Sequence, residues 1–139
     1  MNILIDTNVL LDIMLERQPF VVSAEKVFEE AKRKPINLFI SATTITDLYY
    51  IMRKAKGRDQ ALALIEDLLQ CAEVVSVDKA VIIHALHSGL PDFEDAVQEG
   101  TAKQANISMI VTRNERDFER SDLDIYSPEA FVARYGKGC

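Results

Sequence analysis

The chain has 139 residues, of which 48% are hydrophobic and 27% are charged. This length and composition are sufficient for one buried core, and they argue against a disordered or fibrous protein. The formal net charge of -6 argues against a protein that coats nucleic acid non-specifically, because such binding requires many Lys and Arg side chains that neutralise phosphates.

Five short segments rich in Ile, Val, Leu or Phe predict β-strands. In chain order these segments are residues 2–6, 37–40, 73–77, 107–112 and 123–126. They lack alternating polar residues, which is typical of strands covered on both faces. Apolar residues between them recur at helical spacing. The alternation of strands and helices predicts a three-layer α/β/α domain with a mainly parallel five-stranded sheet.

Proline, glycine and serine residues mark the boundaries of the predicted helices. Ser41 is a plausible start for the helix that follows the second strand, and Ser127-Pro128 opens the last helix. We expect a single domain over residues 1–135 and a flexible tail at residues 136–139.

The cysteines and the hydropathy pattern predict a cytoplasmic protein. Cys71 and Cys139 form neither a disulfide framework nor a Cys-x-x-Cys metal motif. All apolar runs are far shorter than the roughly 18 residues of a membrane span, and no basic segment precedes the N-terminal apolar residues.

Acidic residues follow the strands in four separate segments of the chain. Ligands of open parallel sheets bind outside the carboxyl ends of the strands, so we expect these side chains to lie close together. Two carboxylates about 4 Å apart repel by ~4 kcal/mol at an effective dielectric constant near 20. Oxygen ligands favour hard cations, so Mg²⁺ or Mn²⁺ is the natural counter-charge. The acidic residues concerned are Asp6, Asp47, Asp92, Asp95 and Asp117.

Simpler explanations stay open for several of these residues. Asp47, Asp92 or Glu94 in the first turn of a helix would be favoured by the helix dipole alone. Asp6 ends a buried strand, and backbone donors in a turn at Thr7-Asn8 are an alternative means of compensating its charge.

Four motifs in this order, DTNVLLD, TTITDLYY, DFEDAVQ and TRNERDF, give the chain a resemblance to the PIN-domain nucleases. Within that family the chain resembles the VapC-type toxins of bacterial toxin-antitoxin pairs, over essentially its whole length. The resemblance implies a sheet order of 3-2-1-4-5 and hydrolysis of RNA phosphodiester bonds. It also implies that an acidic cluster holds one or two Mg²⁺ or Mn²⁺ ions.

The resemblance assigns roles residue by residue. The implied catalytic and metal-binding residues are Asp6, Asp47, Asp95 and Asp117, with Asp92 as an extra or competing ligand. The residues implied to orient these carboxylates are Thr7, Asn8, Thr112 and Asn114. Asp47 stands where many members have Glu, and Asn114 stands where others have an acidic residue. These departures leave open a PIN fold that binds a partner without catalysis.

Basic and aromatic residues near the motifs are candidates for RNA contact. Arg113 and Arg116 lie in the fourth motif, although salt bridges to Glu115 and Glu119 would explain them equally well. A second basic cluster, at residues 53–58, follows Tyr49 and Tyr50, which either stack on a base or pack against protein. We also expect a homodimer and an antitoxin partner, for which the apolar helical segments 20–28 and 61–69 are candidate surfaces.

Other classes of function fit the sequence less well. A receiver-type phosphotransfer domain also has acidic strand ends, but Tyr126-Ser127 stands where its lysine is expected. An Asp-x-Asp phosphatase requires a second carboxylate where Asn8 lies. His84 and His87 are three residues apart, but no further His or Cys completes a zinc site with them.

Overall fold

The computed structural model describes residues 1–136. Within this range five parallel strands form one sheet in the order β3-β2-β1-β4-β5. The predicted fold class and the strand order implied by the family resemblance are therefore confirmed. The strands are β1 (Asn2–Ile5), β2 (Asn37–Ser41), β3 (Glu73–Val75), β4 (Met109–Val111) and β5 (Asp124–Tyr126).

Seven α-helices and one short 3₁₀-helix (Glu115–Phe118) connect the strands within the described residues. The α-helices are α1 (Thr7–Met14), α2 (Phe20–Arg33), α3 (Ala42–Lys56), α4 (Arg58–Leu69), α5 (Lys79–Leu86), α6 (Phe93–Gln104) and α7 (Pro128–Tyr135). Ser41 and Ser127 cap α3 and α7 as predicted, because each side chain accepts a backbone N–H of the first helical turn.

The structure differs from the sequence-based expectations at three places. Four strands are shorter than predicted, since β1 ends at Ile5, β3 ends at Val75, β4 spans only Met109–Val111 and β5 begins at Asp124. The predicted turn at Thr7-Asn8 is wrong, because α1 begins at Thr7 with Asp6 as its N-cap. Of the predicted tail, Gly136 closes α7 by donating its N–H to the Val132 carbonyl, and residues 137–139 lie outside the described residues.

Strand β1 lies at the centre of the sheet and is covered on both faces. Ile3 and Ile5 belong to a core cluster that includes residues of α1, α2, α3 and α7. Leu4 points into a second cluster, which it shares with Ile110 and Phe118. All three β1 side chains are fully buried. This burial fixes β1 and thereby places Asp6 in the middle of the carboxyl edge.

The register between β1 and β4 brings two functional segments together. Ile5 pairs with Val111, and the next backbone N–H, that of Asp6, donates to the Val111 carbonyl over 3.0 Å. Thr112 follows Val111 directly, so Asp6 and Thr112 leave the sheet side by side. Across residues 1–136, every helix is too short or too polar to cross a membrane.

Phe131 on α7 tests the packing of this core. Its fully buried ring contacts Tyr135 with 5.0 Å between ring centroids. Phe131→Ala leaves a cavity, and we expect it to lower the free energy of unfolding by about 3–5 kcal/mol in urea titrations. The control Phe93→Ala removes a half-exposed ring and should lower it far less. Equal losses in the two variants would contradict the described core.

Candidate active site

A cavity of about 660 Å³ lies at the carboxyl edge and is lined by residues of α1, α3 and α6. Four carboxylates line it: Asp6, Asp47, Glu94 and Asp95. Among the described residues that line this cavity, none is Lys, Arg or His. We call it the acidic cavity. No basic side chain in its lining therefore compensates the negative charge of the acidic cavity.

Protein donors hold the Asp6 carboxylate in one orientation. Its Oδ1 accepts the Thr7 backbone N–H over 2.8 Å and the Gln98 Nε2–H over 3.0 Å. Its Oδ2 accepts the Thr112 hydroxyl over 2.7 Å, and the Asn8 amide lies 3.5 Å away. Asp6 is only 5% exposed. The Thr7 backbone N–H thus compensates part of the Asp6 charge, as the simpler explanation proposed. Gln98 on α6 and Thr112 just after β4 donate the other hydrogen bonds.

Asp95 is the carboxyl group most affected by its acidic neighbours. Burial, followed by the charges of Asp6 and Asp92 and a side-chain hydrogen bond with Asp117, raises the pKa of Asp95 to about 8. Two carboxyl groups in hydrogen-bonding contact require a proton or a cation between them. The structure thus brings Asp95 against Asp117 and within electrostatic reach of Asp6.

Asp92 lies just before α6 rather than on a helical face shared with Asp95. Its Oδ1 accepts the Asp95 backbone N–H over 2.9 Å, which makes Asp92 the N-cap of α6. Its charge still contributes to the raised pKa of Asp95. The expectation of one shared helical face is therefore wrong, whereas the proximity of the two side chains is confirmed.

Glu94 is an acidic residue of the site that sequence reasoning attributed only to the helix dipole. Its pKa is raised by burial and then by the charges of Asp47, Asp92 and Asp6. Asp47 lies on the second turn of α3, and burial raises its pKa as well. These two carboxylates extend the acidic cluster from α6 across to α3.

Gln98 and Thr44 are contacts of the site that sequence reasoning missed. The Gln98 Nε2 donates to Asp6 and also to the Thr44 hydroxyl over 3.1 Å. The hydroxyl groups of Thr44 and Thr7 are 3.0 Å apart. Gln98 follows Asp95 by three residues, so helical spacing was the available signal. Its buried Oε1 has no hydrogen-bond partner within the described part of the chain.

The two arginines of the fourth motif have different surroundings. Arg113 donates from Nε and Nη2 to the two Asp12 oxygens over 2.6 and 3.1 Å, and its guanidinium lies 3.9 Å from the centroid of the Phe20 ring. Arg113 thus forms an ion pair, and its partner is Asp12 rather than Glu115 or Glu119. Its contact with RNA stays a prediction. Arg116 is exposed and lines a neighbouring cavity of about 520 Å³ together with Asn114 and Asp117.

The donor set suits a divalent cation, although it is not arranged as a closed coordination sphere. Among residues 1–136, no three His, Cys, Asp or Glu side chains converge as metal ligands. His84 instead contacts the Glu99 carboxylate over 3.2 Å. The carboxylates of the acidic cavity still lack a cationic neighbour in its lining, and oxygen donors of this kind favour Mg²⁺ or Mn²⁺ over zinc.

The family of the chain follows from its sequence profile and its fold. The profile described as PIN domain matches residues 2–116. The chain therefore belongs to the PIN domain family. No curated protein sequence matches the chain significantly.

Several solved structures share this fold. VapBC-1 from nontypeable Haemophilus influenzae has a TM-score of 0.72 and 19% identity, covering 93% of this chain and 99% of that chain. DNA-bound VapBC from Salmonella typhimurium has a TM-score of 0.70 and 22% identity, covering 92% and 98%. VapC20 from Mycobacterium tuberculosis, described as a sarcin-ricin loop cleaving toxin, has a TM-score of 0.64 and 15% identity, covering 78% and 86%.

The raised pKa of Asp95 predicts a pH-dependent stability of the metal-free protein. Protonated Asp95 is favoured in the folded state, so its contribution is present below the unfolded pKa near 3.8 and is lost as the pH rises towards about 8. Asp95→Asn removes this titration. In EDTA we expect the variant to have a higher Tm than the parent at pH 8 and little advantage near pH 4.

The control for this experiment is Asp59→Asn, because Asp59 is fully exposed on α4. It should follow the pH profile of the parent protein. An Asp95→Asn profile parallel to that of the parent would contradict the electrostatic description of the cluster.

Proposed function

We propose that this PIN-domain protein is a divalent-metal-dependent endoribonuclease that hydrolyses RNA phosphodiester bonds with Mg²⁺ or Mn²⁺. The observation that carries the proposal is the set of four carboxylates, Asp6, Asp47, Glu94 and Asp95, that lines the acidic cavity without a basic residue. Their mutual repulsion favours the binding of a cation in this cavity.

Asp6, Asp95 and Asp117 would hold the ion, with Asp47 and Asp92 as further oxygen donors nearby. When bound, such an ion would supply an activated water and a positive charge beside the phosphate. Thr112 and Gln98 hold the Asp6 oxygens in place by hydrogen bonds. Glu94 lines the same cavity, and its raised pKa suits it to accept the proton that the attacking water loses.

The RNA backbone requires positive charge near this negative cavity. A groove of about 550 Å³ is lined by Tyr50, Ile51, Arg53 and Lys54, and it shares Tyr50 and Ile51 with the acidic cavity. Tyr50 is 63% exposed, which suits stacking on an unpaired base. The cavity beside Arg116 also adjoins the acidic cavity, through Asn114. These surfaces favour a single-stranded segment that passes across the carboxylates.

One observation favours a non-catalytic alternative, a PIN fold that acts as a scaffold. Protein donors already engage both Asp6 oxygens, and no three potential ligands converge within residues 1–136. Asp47 and Asn114 also depart from the family pattern named above. A metal titration separates the two functions, because a scaffold requires no affinity for Mn²⁺.

We further propose that the chain is the cytoplasmic toxin of a toxin-antitoxin pair and that it forms a homodimer. The support is the shared fold with structures described as VapBC and with FitAcB from Neisseria gonorrhoeae. A set of exposed apolar side chains on α5 and the start of α6 supports self-association. These side chains are Ile83, Leu86 and Phe93. A small DNA-binding protein encoded by the adjacent gene would strengthen the assignment.

Replacement of Asp6 tests the nuclease proposal. Asp6→Asn keeps the size of the side chain and removes the charge that a cation requires, so we expect cleavage of a single-stranded RNA pool to fall more than about 100-fold. The rise in Tm on addition of Mn²⁺ should disappear as well. Asp59→Asn serves as the control and should leave both readouts unchanged. Cleavage at the parental rate by Asp6→Asn would refute the assignment.

Replacement of two basic residues tests the proposed RNA groove. In the double variant Arg53→Ala/Lys54→Ala, we expect the KM for single-stranded RNA to rise about tenfold with little change in kcat, because two phosphate contacts outside the acidic cavity are lost. The matched control is Lys26→Ala/Lys32→Ala, two exposed lysines on α2. Similar KM values for the two double variants would exclude a role for the groove.

A further inference from the structure

A buried ion pair joins α1 to the segment that follows β4. Asp12 is fully buried, and both of its oxygens accept hydrogen bonds from the Arg113 guanidinium, over 2.6 and 3.1 Å. The Phe20 ring lies against the guanidinium, with 3.9 Å to the ring centroid. Arg113 therefore has little freedom to move away from α1.

Helix α1 contacts Arg113 at a second point. The Asn8 Oδ1 accepts the Arg113 backbone N–H over 3.2 Å. Asn8 and Asp12 are four residues apart on α1, so they lie one above the other on the same helical face. The helix thus fixes both the backbone and the side chain of Arg113, which defines the orientation of this segment as well as its distance from α1.

The segment fixed in this way carries groups of the acidic site. The Thr112 hydroxyl donates to Asp6 over 2.7 Å and accepts the Asn114 backbone N–H over 3.0 Å. The Asp117 backbone N–H in turn donates to the Asn114 carbonyl over 3.0 Å. A continuous series of contacts therefore runs from the Arg113 ion pair to the backbone of Asp117.

We propose that Asp12 and Arg113 are positioning residues whose ion pair holds residues 112–117 so that the Asp117 carboxyl group faces Asp95. The ion pair thereby sets the affinity of the acidic cluster for a divalent cation, a consequence that rests on the proposed function. Neither residue lines the acidic cavity. Arg113 lines the neighbouring cavity with Asp117, but its guanidinium is held by Asp12, so the proposed effect on the acidic cluster passes through the segment.

A purely stabilising role does not require these two charges. Replacing a buried ion pair by apolar residues of similar volume is often neutral or favourable for stability, whereas removing one partner is costly. The planar guanidinium provides two parallel hydrogen bonds to one carboxylate, which a lysine does not reproduce. The Asp12–Arg113 pair therefore contributes a fixed orientation of the segment after β4 relative to α1.

The first test is amide hydrogen exchange of the metal-free protein. Arg113→Lys keeps the charge and loses the two-point contact, so we expect exchange at the Asn114 and Asp117 amides to accelerate about tenfold. The matched control is Arg17→Lys. Arg17 also approaches Asp12, at 3.6 Å, but its side chain is 40% exposed and lies outside residues 112–117. Unchanged exchange in Arg113→Lys would overturn the proposal.

The second test separates positioning from stability. The double variant Asp12→Leu/Arg113→Met replaces the ion pair by apolar side chains, and we expect it to unfold at a urea concentration close to that of the parent. Its Kd for Mn²⁺, measured by calorimetry, should nevertheless rise about tenfold. A double variant with parental Mn²⁺ affinity and parental amide exchange would show that the pair is only structural.

The two tests also keep this inference distinct from the proposed nuclease function. If the parent protein binds no Mn²⁺, the metal-dependent function fails, and amide exchange still decides whether the ion pair holds the segment. If the parent protein binds Mn²⁺ and cleaves RNA while exchange in Arg113→Lys is unchanged, the positioning role alone is refuted.

Discussion

Burial of the Asp6 carboxylate at the end of the central strand creates a negative charge that the fold must compensate. The apolar residues of β1 require burial on both sheet faces, so Asp6 cannot move out to solvent without displacing the strand. Hydrogen bonds from Thr7, Gln98 and Thr112 compensate part of this charge. They leave the neighbouring Asp47, Glu94 and Asp95 without a basic partner in the cavity lining, and this deficit favours cation binding.

Helix α1 connects this constraint to the rest of the site. Its N-terminus is capped by Asp6, and nearly two turns further along Asp12 binds Arg113. The same short helix thus orients a carboxylate directly and holds the segment after β4 in place. A site arranged in this way takes its geometry from rigid elements of the sheet and its helices, and rigid elements can position a substrate.

The fold could be predicted from the sequence because strands and helices are indicated by local or periodic patterns of apolar residues. Short apolar runs without polar alternation identify strands such as β1 and β4, and helical spacing identifies helices such as α2. The family resemblance carried by the four motifs then implied the strand order. Boundaries were less certain, since a strand followed at once by its helix, as at Asp6 and Thr7, resembles a turn in sequence.

Contacts between distant residues were beyond the reach of sequence reasoning. Asp12 and Arg113 are 101 positions apart, and no local pattern relates them. Gln98 has the helical spacing of a site residue relative to Asp95, but spacing alone does not reveal that its amide reaches Asp6. The pairing of Arg113 likewise depends on the side of α1 that meets the β4 segment, which only the packed fold determines.

Anomalous diffraction from crystals soaked in Mn²⁺ tests the central claim most directly. The account predicts a strong anomalous peak within bonding distance of Asp6 and Asp95 oxygens, with Asp117 turned towards it. A saturated crystal with no peak at this edge of the sheet, or with peaks only elsewhere on the molecule, would contradict the account.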